Sequence, residues 1–190
     1  MLSVIVLADG DERSVVMTLA ALVPGAAAGL IRDVLLVDRE SSAAMERVAD
    51  VAGCHYLVQQ GSAGARLSKG AETARSNWLL FLRAGAILEG NWIDELGQFM
   101  ENASLAAKTR AAIFRHARSP YAEARMRDAL KSAGRWLLGP SPDQGLLIAR
   151  QHYQHLGGHD TSSERAEKKL LAKLSRKHRI ILRSRIVAGT

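Results

Sequence analysis

The sequence predicts an α/β protein: a single-domain, three-layer α/β/α sandwich built around a mostly parallel central sheet. Three observations carry that expectation. Short apolar runs alternate with segments of helical periodicity through the first half of the chain. The runs are apolar throughout instead of alternating with polar residues, which marks strands covered on both faces. At 190 residues and 47% apolar content, the chain is long enough to bury one core, and one domain is the natural division.

The elements follow in order. Leu2 to Leu7 (LSVIVL) is a strand that ends in the polar cluster Ala8-Asp9-Gly10-Asp11. Ser14 caps a helix in which Val15, Leu19 and Leu22 recur at helical spacing, until Pro24-Gly25 stops it. Val34 to Val37 is the second strand, closed by Asp38-Arg39. Ser41-Ser42 caps a helix through about Val51, and Cys54 to Val58 is the third strand. Gly61-Ser62-Ala63-Gly64 opens a helix with Leu67, Gly70, Ala71 and Ala74 on one face. Trp78 to Leu82 is the fourth strand. A helix over about Asn91 to Asn102 follows, then a strand from Thr109 to Phe114 and a basic amphipathic helix from Pro120 to Trp136. Leu146 to Ala149 is a short strand before a turn at Gly157-Gly158. Ser162 to Lys177 reads as a helix with Ala166, Leu170 and Leu174 four apart, and Ile180 to Leu182 and Ile186-Val187 are closing strands. In a parallel sheet ligands bind beyond the carboxyl ends of the strands. Asp9, Asp38 and Arg83 therefore share one edge.

Composition narrows the setting. The single cysteine, Cys54, cannot form an internal disulfide, and the chain does not open with a charged segment followed by an apolar one; both fit a reducing, cytoplasmic setting. No apolar stretch approaches the roughly 20 residues of a spanning helix. The formal charge of +7 is concentrated at the end, where residues 162–190 hold nine Lys or Arg against two Glu. Such a segment attracts nucleic acid, anionic lipid or phosphorylated ligands through a sequence-independent field, or is simply a solvated helix face. Of these, contact with the inner face of an anionic membrane is kept as the expectation and nucleic acid is disfavoured.

Several chemistries are excluded. There is no Walker A loop, and the glycines at 61, 64 and 70 do not make G-x-G-x-x-G. There is no G-x-S-x-G elbow for serine chemistry. His152, His155 and His159 are the one group near metal-ligand spacing, and Gly157-Gly158 breaks the helix that would align them. Carboxylates remain: Asp9, Asp11, Glu12 and Asp38 at strand ends, then Asp143, Asp160, Glu164 and Glu167. Asp9 and Asp11 also suit helix caps. Glu164 and Glu167, three apart on one helical face, suit pairing with Lys168 and Lys169. Cys54, Trp92 and Trp136 read as packing residues.

The order of segments resembles family 2 glycosyltransferases of the GT-A type, with their Rossmann-like fold. "SVIVLADGDE" stands where that family has a strand and a polar loop, and "DVLLVDRESS" is similar to its second strand, which ends in Asp. "GARLSKGAETARSNWLLFLRAGAILEGNWIDEL" is similar to its small-residue helix, apolar strand, turn and helix, and "PDQGLLIARQHYQHLGGHD" to its later strand, helix and Gly-Gly turn. The resemblance implies a nucleotide-binding half over 1–104, an acceptor-side half over 105–190, and sugar transfer from a nucleotide diphosphate sugar to an unidentified acceptor hydroxyl. It places Asp38, Asp9 and Asp11 in the nucleotide pocket. Asp143 lies in the Asp-Gln-Gly that precedes the later strand in a small bacterial subgroup. The family's acidic motif at the fourth strand end is replaced by Arg83 and Gly85. Neither supplies a side-chain ligand for a cation, so the expectation is no metal cofactor, with Arg83, Lys69 or Arg66 neutralising phosphate. Asp160 and Glu164 are the candidates for the base. Two readings remain open, a metal-independent transferase and an inactive GT-A-like binding or scaffold protein. Nucleotidyl transfer ranks third, because the first loop lacks its Gly-rich, basic sequence.

Overall fold

The structure is a computed structural model and describes residues 1–8, 12–105, 110–117 and 141–187. Its strands are β1 (Leu2–Leu7), β2 (Ile31–Asp38), β3 (His55–Val58), β4 (Trp78–Arg83), β5 (Ile87–Glu89), β6 (Ala111–His116), β7 (Leu146–Ala149) and β8 (Arg179–Val187). The helices are α1 (Glu12–Ala27), α2 (Ala43–Ala52), α3 (Ala63–Thr73), α4 (Trp92–Leu105), α5 (Arg150–His155) and α6 (Ala166–Lys173). All eight strands join one sheet in the order β3-β2-β1-β4-β7-β6-β8-β5. The pairs β1–β2, β1–β4, β2–β3 and β6–β8 are parallel, whereas β7 runs antiparallel to β4 and β6, and β5 antiparallel to β8.

The core lies on both faces of this sheet. Val4, Val6 and Leu80 face a cluster with Leu19, Leu22, Trp92 and Leu96, from α1 and α4. Ile5, Leu7, Leu79 and Phe81 face the other way, against Leu67 and Ala71 of α3 and Leu170 and Leu171 of α6. Two covered faces explain why β1 and β4 read as unbroken apolar runs. Gly70 lets α3 lie close on the sheet, since a Cβ there would come 2.6 Å from Ile5 Cγ2.

Several boundaries differ from expectation, each for a local reason. Pro24 does not stop α1: the helix runs on through Ala27, and Ala28 N–H donates to the proline carbonyl at 3.0 Å. Gly25 is a packing residue: a Cβ there would lie 2.3 Å from Trp92 Cη2. Ser14 lies inside α1 and its carbonyl accepts from Gly85 N–H at 3.0 Å. Ser42 caps α2 as expected, accepting from Met45 N–H, and Ser62, within the stretch expected to open α3, is its cap and accepts from Ala65 N–H. The helix expected from Ser162 is only α6; before it Ser162 N–H turns to Asp160 Oδ1 and Arg165 N–H to Ser163 Oγ, local bonds that compete with a helix. The two closing strands are one strand, β8, and β5 was not expected. The basic helix expected over Pro120 to Trp136, and Thr109, lie outside the described residues. Among the described residues no helix is long and apolar enough to cross a membrane.

Candidate functional site

Strand direction defines the site. β1, β2, β4, β6 and β8 all end at one edge of the sheet, and the antiparallel β7 begins there. Chain connections leave β1 toward β2 on one side and return to β4 on the other, so the crevice between β1 and β4 is the switch point where ligands bind in such sheets. Arg83 is the last residue of β4 and pairs with Leu7, the last of β1. The turn behind it is fixed by Ala84 N–H donating to Leu7 O at 3.0 Å and by Gly85 at φ +87°.

Arg83 is not a bare surface cation. Its Nε donates to Glu167 Oε2 at 3.0 Å, and its Nη2 donates to the same oxygen. Asp143 Oδ1 lies 4.0 Å from Nε. The Glu167 side chain is only 9% exposed, against 36% for Arg83 and 49% for Asp143. Glu167 opens α6 on the face of Leu170, Leu171 and Leu174, all buried. The expected pairing of Glu167 with Lys168 or Lys169 is therefore corrected: its helix faces the sheet at this position, and the guanidinium is its partner. An acidic residue at the i, i+3, i+4, i+7 spacing of an apolar stripe was the signal in the sequence. Asp143 is brought here by a 3₁₀ turn, Pro142–Gln144, capped by Ser141 and tied down by Gln144 Nε2 donating to Phe114 O at 2.8 Å.

The other candidates divide. Asp38 ends β2 at the same edge, where its Oδ1 accepts from Arg39 N–H at 2.7 Å and its Oδ2 from Tyr56 Oη–H at 3.2 Å. Arg66 lies within α3 and is 1% exposed. Lys69 is exposed on α3, six residues past Ala63 and so about 9 Å further along the helix. Asp9 and Asp11 lie outside the described residues.

The two base candidates are engaged away from Arg83. Asp160 accepts from Lys169 Nζ at 2.7 Å, Ser162 Oγ at 2.6 Å and Ser162 N–H at 3.0 Å. Those donors hold its carboxyl far below the usual range, which makes it a weak proton acceptor. Glu164 takes Ala63 N–H at 3.0 Å through Oε2, and its Oε1 lies 3.3 Å from Arg39 Nη2. Like Glu167, it pairs with an arginine of another element and not with Lys168 or Lys169.

The three histidines are dispersed. His152 and His159 are buried and His155 is exposed. His159 Nδ1 is 3.0 Å from Tyr153 Oη, and its ring stands edge-on to Phe81. Burial, reinforced by Lys173, pushes its imidazole down to about 3. Burial also lowers His152, helped by His178 and His155, against a backbone bond at Arg110 that raises it.

The resemblance to family 2 glycosyltransferases implies a divalent cation at the end of this strand, and the residues present can be tested for that role. Among the described residues Asp143 and Glu167 are the carboxylates brought to Arg83, and a cation between them would face its positive charge. Among the described residues no group of three His, Cys, Asp or Glu is arranged to hold a metal ion. This donor set fits a cation poorly.

No protein-family model matches the sequence, and no curated protein sequence matches it. Solved structures do match in shape. Residues 1–349 of Staphylococcus aureus TarS superpose over 100% of this chain and 60% of their own, with a TM-score of 0.68 at 13% identity. A mannosyltransferase from Pyrobaculum calidifontis, in complex with GDP-Man and Mn2+, gives a TM-score of 0.68 at 14% identity, over 99% of this chain and 56% of its own. Glucosyl-3-phosphoglycerate synthase of Mycobacterium tuberculosis gives 0.67 at 14% identity, over 100% and 72%. The chain thus spans about three fifths of the first two. The fold is that of the GT-A type glycosyltransferases.

Proposed function

We propose that the protein binds a nucleotide diphosphate sugar at the β1–β4 crevice and transfers the sugar to an acceptor hydroxyl, with Arg83 in the electrostatic role that a metal ion fills elsewhere. The observation that carries this is the position of Arg83: a guanidinium, oriented by a buried carboxylate, ends the strand that borders the switch point. In the transfer the acceptor oxygen bonds to the anomeric carbon as the bond from that carbon to the diphosphate oxygen breaks. Negative charge grows on the departing diphosphate, and a preoriented guanidinium stabilises it without reorganisation. The acceptor proton passes to a carboxylate beside Arg83, where, among the described residues, Asp143 and Glu167 are brought. TarS has been obtained with UDP and with UDP-GlcNAc, and the mannosyltransferase with GDP-Man; these suggest which donors to try first. Asp38 at the second strand end suits the nucleoside, and the basic residues of α6 and β8 suit an anionic membrane surface.

Thermal shift and calorimetry with UDP and GDP, in EDTA and then in manganese, test the reading. Binding unaffected by EDTA, weakened at least tenfold in Arg83→Ala and in part by Arg83→Lys, is the expected result. Binding that required manganese would overturn the role of Arg83. Asp143→Asn and Glu167→Gln separate the two carboxylates: loss of turnover with donor affinity kept marks the base, and loss of donor affinity marks the anchor.

A binding protein without turnover is the second reading, and one observation favours it. Glu167, buried at the crevice, already receives both Arg83 Nε and Nη2 on Oε2, so that oxygen is engaged by donors before an acceptor proton reaches it. Nucleotide binding without sugar release from any UDP- or GDP-sugar would select this reading.

A further inference from the structure

Residues 160–167 cross the ligand edge. Ser62 Oγ donates to Thr161 O at 2.7 Å and Gly64 N–H to Ser163 O at 3.1 Å. The seat is close: a Cβ on Gly64 would lie 1.9 Å from Asp160 O and 2.8 Å from Ala166 Cβ. From this seat, Glu164 and Glu167 engage two arginines that belong to different strand ends. Glu167 holds Arg83, after β4, and Glu164 holds Arg39, directly after β2. β2 and β4 flank β1, so the two arginines stand two strand spacings apart, about 10 Å at the backbone. Two side chains of that length can converge on one group carrying two phosphates.

The two ion pairs differ in exposure. Glu167 is 9% exposed and Arg83 36%, whereas Arg39 and Glu164 are 53% and 61% exposed. Exposed pairs are weak and screened by solvent. Glu164 also accepts Ala63 N–H in the first turn of α3, a position that favours negative charge. Its carboxylate thus meets a guanidinium and a backbone donor, the partners a phosphate would use.

We propose that Glu164 is a resident anion. Its carboxylate occupies Arg39 and Ala63 N–H while the site is empty, and it swings aside when a phosphate of the ligand takes both donors. This deepens the reading of the crevice as a diphosphate site and rests on it. Wild-type affinity for a diphosphate is therefore set below what Arg39 and Arg83 would give alone. Glu167, being buried, stays in place against Arg83.

Inorganic pyrophosphate and UDP are titrated calorimetrically into the full chain, wild type, Glu164→Gln, and Glu164→Gln with Arg39→Ala, with melting temperatures confirming that each is folded. Glu164→Gln keeps the size and removes the charge. It should bind pyrophosphate three- to tenfold more tightly, the gain should vanish with Arg39→Ala, and it should shrink as salt is raised. A gain with pyrophosphate and no UDP binding upholds the resident anion and overturns the nucleotide reading. Equal UDP affinity in wild type and Glu164→Gln overturns the resident anion and leaves the nucleotide reading standing. Weaker binding in Glu164→Gln overturns it too, and makes Glu164 part of the receptor.

Discussion

Single atoms decide several of these contacts. Gly25 is tolerated by α1 only because Trp92 needs the space of its missing Cβ. Gly25→Ala should cost about 1–3 kcal/mol through overpacking, read from the urea midpoint, and Trp92→Phe in the same chain should return part of it. His159 supplies a second prediction. Its folded-state value near 3 lies below the ordinary 6.5, so between those values the unfolded chain takes up a proton that the folded chain refuses. Stability is then full above pH 6.5 and falls as pH drops. Going from pH 7 to pH 5 should remove about 2 kcal/mol, and His159→Phe should show a smaller loss in the same denaturation series. Residue chemistry of this kind was half legible in advance. Arg83 was located by its place at the end of an apolar run, but its partner was not, because Glu167 lies 84 positions further along the chain.

Elements repeat the pattern at a larger size. β8 was expected in two pieces because Arg183-Ser184 interrupts its apolar residues, and the structure supplies the reason it continues. Glu95 of α4 accepts Arg183 N–H at 2.7 Å and Ser184 N–H at 2.8 Å, where the register against β6 shifts. Partial burial works against the charged carboxylate, yet those bonds and the Ser184 side chain keep its pKa below the ordinary value. Glu95→Ala strands two backbone donors and should cost about 1–3 kcal/mol, with amide exchange quickening first at 183 and 184. Glu95→Gln, which keeps an acceptor, should cost less. The early strands and the capped helices α2 and α3 were readable because their signals are local: apolar runs, the Ser41-Ser42 cap, and the small-residue opening Gly61-Ser62-Ala63-Gly64. β5 was not, since Ile-Leu-Glu is too short to show a period and is a strand only because β8 arrives beside it.

At the level of the whole molecule, the alternation of strands and helices gave the parallel half, whereas the order β4-β7-β6-β8-β5 depends on contacts far apart in sequence. Arg150 shows how the two regions are joined at the opposite edge. It donates to the carbonyls of Ala71 at 2.6 Å, Ala74 at 2.5 Å and Ser76 at 3.0 Å, so the start of α5 closes the end of α3. Arg150→Met keeps the stem and leaves three acceptors without that donor; its melting temperature should fall by several degrees.

The turn that bears Arg83 has one more consequence. Its next element is β5, and β5 is the outermost strand, closed onto β8 at Ile87↔Val187, Leu88↔Ile186 and Glu89↔Arg185. Three residues, Ala84 to Ala86, separate the guanidinium from that pairing. Whatever stiffens the turn must also steady the hem of the sheet, so occupancy of the crevice can be heard at a distance: amide protection across residues 185–187 should rise when Arg83 is engaged by ligand, and should stay level in Arg83→Ala.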